Sequence, residues 1–195
     1  MTDSEDKNVS EGFSYKPLWT IFKFPKEENT EKLKLRSKLL QSPTLGIEDM
    51  RALGFDPYAV EQIPANTSLK LGRKQVCNLI AKASAYTKWS SSIAYLFVGT
   101  HSSTESYSQS KLFATVGTGS CARYSMDSGY PTVSSNVITW RSTFTSLTAN
   151  FAWKEYSLRN KNVQTTGIAL NRLQSSKGTK VSGETWTLQL QITVT

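Results

Sequence analysis

The last part of the chain has a strict two-residue alternation of apolar and polar side chains. In residues 184–195 the odd positions from Thr187 to Thr195 are all threonine or glutamine. The alternating apolar positions are Trp186, Leu188, Leu190, Ile192 and Val194. Because side chains point to opposite faces of a strand in turn, this pattern predicts a strand with one dry and one wet face, typical of an antiparallel sheet.

Two earlier segments also have strand character. Residues 92–100, SIAYLFVGT, form a compact apolar run that ends at a glycine, and residues 137–144, VITWRSTF, place Ile138, Trp140 and Phe144 on one side. Polar segments rich in Gly, Ser and Thr separate them. We therefore predict a mainly β protein built as an antiparallel β-sandwich, in which the aromatic side chains of residues 136–160 form core and cross-strand pairs.

Residues 71–88 predict the one long helix. Val76, Leu79, Ile80 and Ala83 recur at helical spacing, and polar residues occupy the opposite face. A helix with one apolar side packs against a sheet, so we assign residues 71–195 to a β-sandwich domain with an N-terminal helix.

Residues 1–70 predict an extended N-terminal anchoring arm with short helices. Residues 47–53 have helical spacing and are followed by Gly54 as a stop signal, and Asp56-Pro57 is a typical start for a second short helix through Val60. Residues 27–43 are charged and leave a short helix or an extended strap open.

The apolar segment of the arm lies between two prolines in residues 15–25. Such a strand does not stay exposed in water, so it either folds back onto the body or lies on another chain. We favour the second alternative, with a partner-docking role for five residues: Leu18, Trp19, Ile21, Phe22 and Phe24.

The net charge of +8 is unevenly distributed. Residues 1–74 carry 12 basic and 11 acidic side chains, whereas residues 75–195 carry 11 and 4. The basic residues form no tract and no nucleic-acid motif, so we expect either a solvated surface or a face that docks on an acidic partner, rather than a nucleic-acid site. No apolar run is long enough to span a bilayer, and we expect no membrane association.

The residues that carry chemistry are few. With one histidine, His101, and no CxxC pair, we expect no metal and no cofactor, and Cys77 and Cys121 are expected to be free, buried thiols. A catalytic triad would have to combine His101 with Asp127 and a serine, without any GxSxG sequence. Glu155 is interpreted as the partner of Arg141 or Lys154 in an ion pair between adjacent strands.

A series of short motifs within residues 93–195 resembles a family. The chain resembles small virion structural proteins of tailed bacteriophages, including the first domain of tail-collar and tail-fibre proteins. The motifs occur in the family's order: AYLFVGT, MDSGYP, VITWRSTF, ANFAW, LNR, GTK and WTLQLQITVT. Where the family usually has EWG, this chain has Glu155-Tyr156-Ser157, so the turn after Trp153 is expected to differ.

The resemblance implies a non-enzymatic virion protein at the neck, collar or tail. Its implied partners are portal, adaptor, capsid or tail components and further copies of itself, and its implied location is the virion. The alternative from the residues is a capsid-decorating or host-glycan-binding module that uses Tyr107, Tyr124 and Tyr130.

Overall fold

The computed structural model describes residues 14–27, 30–40, 47–64, 67–81, 87–112, 120–163 and 166–195. These ranges contain three helices: α1 Thr30–Leu40, α2 Ile47–Ala52 and α3 Lys70–Ile80. The same ranges contain the strands β1 Tyr15–Phe24, β2 Ala59–Ile63, β3 Thr67–Ser68, β4 Tyr95–Gly99, β5 Cys121–Ser125, β6 Thr132–Ser134, β7 Val137–Phe144, β8 Glu155–Arg159, β9 Asn171–Gln174 and β10 Thr185–Val194.

The strands form two sheets of five. One has the order β2-β1-β10-β7-β6 and the other the order β3-β9-β8-β4-β5. The pairings within both sheets are antiparallel. The predicted mainly β fold with a sandwich architecture is therefore confirmed, and the sandwich interior contains the main hydrophobic core.

The alternation in β10 matches the two sides of its sheet. Trp186, Leu188, Leu190 and Ile192 are buried and belong to the core between the sheets. The facing sheet contributes four buried side chains at alternate positions of β4 and β8: Leu96, Val98, Tyr156 and Leu158. In a β-sandwich, the inward-facing apolar side chains of the two sheets interdigitate in this way.

Aromatic rings form the centre of that core. The Trp153 ring lies 4.9 Å from the ring centroid of Phe144 and 4.9 Å from that of Trp186, edge to face in both cases. Its indole Nε1 donates to the carbonyl oxygen of Ala149 at 3.0 Å. The aromatics of residues 136–160 are core residues, as the pattern predicts.

The anchoring-arm interpretation is corrected by β1. This ten-residue strand lies inside the sheet, paired with β10 on one side and with β2 on the other. Trp19 and Ile21 are completely buried in the core between the sheets, and Phe24 is buried on the opposite side. The apolar segment therefore folds back onto its own body, and the three buried side chains do not form a docking surface.

The strand pairing also shows that the predicted boundary between an arm and a domain at residue 70 does not divide the fold. Strands β1 and β2 belong to one sheet of the sandwich, and β3 pairs with β9 in the other. Residues 14–70, as far as they are described, thus contribute to both layers. Sequence periodicity missed this because the partner of β1 lies at the far end of the chain, where local patterns carry no pairing information.

Helices α1 and α2 cover the outer side of β1. Phe22, Phe24, Met50 and Phe55 form a second buried cluster there, with Leu39 packed against it. The Arg36 guanidinium donates to the carbonyl oxygen of Pro25 at 2.9 Å, which fastens α1 to the end of β1. The predicted helix at 47–53 is confirmed by α2, and the open alternative at 27–43 is resolved as helix α1.

The predicted short helix at residues 56–60 is wrong. Residues Ala59–Ile63 form β2, which pairs with β1, and the backbone nitrogen of Tyr58 already donates to the carbonyl oxygen of Lys23 at 2.8 Å. The open edge of β1 offers backbone partners along its length, and these outweigh a local capping signal.

Helix α3 occupies the N-terminal part of the predicted helix at 71–88. Ala83 lies outside the described residues, and residues 87 and 88 are not helical. Val76 and Leu79 pack against the core at one end of the sandwich. Within the described ranges, no helix combines the length and apolarity required to cross a membrane.

Candidate functional site

Three polar contacts, each with at least one buried side chain, join different segments of the chain, and they contain three of the residues considered for chemistry: Asp127, Arg141 and Glu155. We call them the brace contacts: Asp127 with Arg141, Glu155 with Arg172, and Asn150 with Lys180. Buried polar groups of this kind are stable only when their hydrogen-bonding capacity is satisfied.

The first brace contact holds the loop after β5 against β7. The Nε of Arg141 donates to Asp127 Oδ2 at 3.1 Å, and the backbone nitrogen of Thr143 donates to Asp127 Oδ1 at 2.9 Å. The Arg141 guanidinium also lies 4.3 Å from the ring centroid of Tyr130. Burial raises the pKa of the Asp127 carboxyl group, whereas Arg141 and Thr143 act to lower it.

The second brace contact corrects the predicted partner of Glu155. Its Oε2 accepts from Arg172 at 3.0 Å, and neither side chain has any solvent exposure. Arg172 also donates to Gln109 Oε1 at 3.3 Å and to the carbonyl oxygen of Ser103 at 2.9 Å. The pairing with Arg141 or Lys154 was wrong because β8 lies beside β9, which contains Arg172 at its second position.

The third brace contact was not anticipated. Lys180 Nζ donates to Asn150 Oδ1 at 2.7 Å and to the carbonyl oxygen of Thr145 at 2.8 Å. The side chain is fully buried, and desolvation lowers the pKa of its ammonium group to about 8, with Glu184 acting in the opposite direction. The sequence offered one indication of this contact, since Asn150 belongs to the motif ANFAW and Lys180 belongs to the motif GTK.

A related cluster lies where β1 meets β2. Lys23, buried in the middle of the apolar segment, forms an ion pair with Glu61 and donates to the carbonyl oxygen of Lys177 at 2.6 Å. Its ammonium lies 4.5 Å from the ring centroid of Trp186. Lys177 Nζ reaches the other carboxylate oxygen of Glu61 at 3.3 Å, so one carboxylate joins two cations.

His101 is not brought together with Asp127. Its Nδ1 lies 2.8 Å from Ser103 Oγ and accepts from the Ser103 backbone nitrogen at 3.1 Å, in a turn two residues long. Asp127 is engaged by Arg141 and Thr143 in the first brace contact. The triad that the residue types allowed is therefore not assembled.

The three tyrosines considered for glycan binding do not share a surface role. Tyr130 is buried beneath Arg141, and Tyr124 packs against the core, with its ring 5.3 Å from that of Phe144. Tyr107 is about half exposed, at 48%. A stacking platform for sugars requires exposed rings, and only Tyr107 of the three offers one.

Both cysteines are free, but Cys77 is exposed rather than buried and Cys121 is half-buried. Burial raises the pKa of the Cys121 thiol to about 12. The described residues contain no group of three His, Cys, Asp or Glu side chains arranged to hold a metal ion.

Comparison with known proteins gave no match: none of the family models, curated proteins or solved structures is similar to this chain.

Proposed function

We propose that the chain is a non-enzymatic structural protein of a tailed-bacteriophage virion, placed at the neck, collar or tail. Two observations support this proposal. The first is the ordered set of motifs that resembles such proteins. The second, on which the proposal mainly rests, is that charged residues of those motifs form the brace contacts within the protein.

Two of the brace contacts join two different motifs, and the other joins a motif to a residue just outside one. Asp127 of MDSGYP binds Arg141 of VITWRSTF, and Asn150 of ANFAW binds Lys180 of GTK. Arg172 of LNR binds Glu155, which follows ANFAW by two positions. Four charged side chains of these motifs are therefore buried and bind other groups of the same protein.

This arrangement favours a structural role over a catalytic one. A catalytic acid or base has to reach a substrate, whereas Glu155, Arg172 and Lys180 are completely buried. Paired in this way, they fix the positions of loops and strands relative to one another, since an unpaired buried charge is strongly unfavourable. A rigid shape is what a repeated particle component requires.

The partners in this proposal are other virion proteins and further copies of the chain. The formal charge of +8 suits acidic neighbouring surfaces, and charge complementarity of that kind steers association and fixes register. The aromatic segment at 15–25 has no part in this docking, because β1 lies within the sheet.

The test is to locate the chain in purified particles. Virions are banded by density, and the chain is quantified by mass spectrometry against the major capsid protein. We expect a small, fixed copy number that survives a salt wash, and a homo-oligomer in native mass spectrometry of the free protein. Recovery of the chain only in the unassembled fraction of the lysate would contradict the proposal.

A deletion of the gene separates a structural role from incidental packaging. Particles made without the chain should lack a neck or tail feature in electron micrographs, and the wild-type gene supplied in trans should restore it. The Arg172→Met variant should fail to restore it, whereas Lys74→Met, an exposed change on α3, should succeed. Normal particles from the deletion would remove the basis of the proposal.

A further inference from the structure

An apolar cavity opens at one end of the sandwich. Its volume is about 480 Å³, and it lies between α3 and the ends of β1, β7 and β10. Val76 and Leu79 of α3 line one side, and Trp140 and Ile192 line the other. Ile80, which is 69% exposed, also lines it, so the cavity is open to solvent on the side of α3.

Four side chains in this apolar lining carry N–H or O–H donors, and three of them bear on a ligand. The hydroxyl of Tyr15 and the indole nitrogen of Trp89 are buried and have no hydrogen-bond partner among the described residues. The third is the guanidinium of Arg73. By contrast, the indole nitrogen of Trp140 is satisfied, since it donates to the carbonyl oxygen of Trp89 at 2.9 Å.

Arg73 is close enough to act on the Tyr15 hydroxyl. Burial raises the pKa of Tyr15, and the positive charge of Arg73 opposes that rise. Arg73 is exposed, and its guanidinium lies 5.7 Å from the ring centroid of Tyr107. An exposed cation and a buried hydroxyl that has no partner among the described residues therefore both belong to the lining of an apolar space.

We propose that this cavity binds a small amphiphile with an apolar chain and one anionic headgroup, of the fatty-acid type. Its apolar chain contacts the walls formed by α3, β7 and β10, and its carboxylate accepts from Tyr15 and Arg73. The positions of the apolar chain and of the carboxylate follow from the lining of the cavity, and they do not depend on the proposed role in a virion.

The chemistry of the lining selects this class of ligand. The described lining contains a cation and two unsatisfied donors but no Asp or Glu, so a headgroup that accepts hydrogen bonds and carries negative charge is complementary. The volume lies within the range of roughly 300–1,000 Å³ typical of small-molecule sites. An unsatisfied buried donor is unfavourable, and such a ligand satisfies the hydroxyl of Tyr15.

The experiment compares two amphiphiles with the same chain and opposite charge. Dodecanoate and dodecyltrimethylammonium are titrated separately into the full-length protein by isothermal calorimetry, below their micelle concentrations. We expect saturable binding of dodecanoate to one site, at least about tenfold tighter than binding of the cationic probe. Quenching of tryptophan fluorescence gives an independent readout, because Trp89 and Trp140 line the cavity.

Two variants and a matched control assign the headgroup contacts. Arg73→Gln and Tyr15→Phe should each weaken dodecanoate binding about tenfold, whereas neither should weaken the binding of the cationic probe, and Arg73→Gln should strengthen it because a repelling charge is removed. Lys74→Gln, the adjacent exposed position on α3, removes the same charge outside the lining and should have no effect. A third variant, Leu79→Trp, narrows the cavity and should weaken the binding of both probes.

The proposal is overturned by any of three results. The first is that dodecanoate does not bind, and the second is that both probes bind with equal affinity. The third is that Arg73→Gln, like Lys74→Gln, leaves the affinity for dodecanoate unchanged. Circular dichroism and thermal unfolding of each variant establish that a loss of binding is not a loss of fold.

Discussion

Arg172 and Glu155 form an ion pair whose N–O distance is 3.0 Å, and solvent reaches neither side chain. The guanidinium also donates to Ser103 and Gln109 of the loop at 100–112. One carboxylate and one guanidinium therefore hold β8, β9 and a long connection together.

Glu155→Gln tests this contact. The amide keeps the shape of the side chain but removes its charge, so Arg172 stays buried without its anion, and we expect the free energy of unfolding to fall by about 3 kcal/mol. Urea denaturation measures the change. The matched control is Glu48→Gln, which alters an ion pair with Arg51 at the surface and should change stability little. Equal effects at the two positions would show that the buried pair has no special role.

Lys180 predicts a dependence of stability on pH. Its pKa is about 8 in the folded protein, against a usual 10.5, because burial disfavours the ammonium. Between these two values the unfolded chain binds more protons than the folded one, so this residue makes the free energy of unfolding rise as pH increases. The contribution is complete above the usual pKa and is lost as pH falls through 8.

The measurement is urea denaturation of the wild type and of Lys180→Met over the range from pH 7 to pH 11. The wild type should gain stability relative to the variant as pH rises, although the variant is less stable throughout because Asn150 and Thr145 lose their donor. Lys74→Met, at an exposed position, should parallel the wild type. Parallel curves for the wild type and Lys180→Met would contradict the lowered pKa.

Removal of β1 tests the correction to the N-terminal arm. A chain that begins at residue 25 lacks the strand between β2 and β10, together with the buried side chains of Trp19 and Ile21. We expect it to be insoluble or unfolded by circular dichroism, since the sheet loses a central strand and the core loses large apolar side chains.

The control is a chain that begins at residue 14, which keeps β1 entire. It should remain folded and unfold in one cooperative thermal transition. If instead the chain that begins at residue 25 folds with a comparable midpoint, β1 is not part of the core.

Gly72→Ala tests the packing of α3. Alanine normally stabilises a helix relative to glycine by about 1 kcal/mol. At this position a Cβ atom would lie 2.6 Å from the Cα of Leu170, so the helix must move away from the body. We expect a net destabilisation of about 1–3 kcal/mol in urea denaturation. Lys74→Ala, an exposed change on the same helix, should alter stability little, and a stabilised Gly72→Ala variant would contradict the close approach.

Several elements were predictable because their signal is local. The alternation in β10, the apolar run in β4 and the Gly54 stop after α2 each depend on neighbouring residues, and each was confirmed. The φ of Gly54 is 77°, in the left-handed region that glycine occupies easily, which explains its place at the helix end.

The wrong predictions share one cause. Residues 56–60 contain a good helix start, yet residues 59 and 60 belong to β2 because that strand pairs with β1. The partner of Glu155 was predicted among the cations nearest to it in sequence or in neighbouring strand segments, whereas the structure pairs it with Arg172. The brace contact of Lys180 joins residues 30 positions apart. Sequence order does not reveal which strands become neighbours, so it could not reveal which polar groups meet.

By itself, the sequence determined that the chain makes a β-sandwich with a dry interior, because the side-chain period of a strand is visible in any short window. The tertiary structure decided that β1 belongs to that interior and that Asp127 binds Arg141 and Glu155 binds Arg172. It also left a cavity at one end, lined by two donors that have no partner among the described residues. These outcomes depend on strand order and on the shape left between packed elements, and both exist only once the chain has folded.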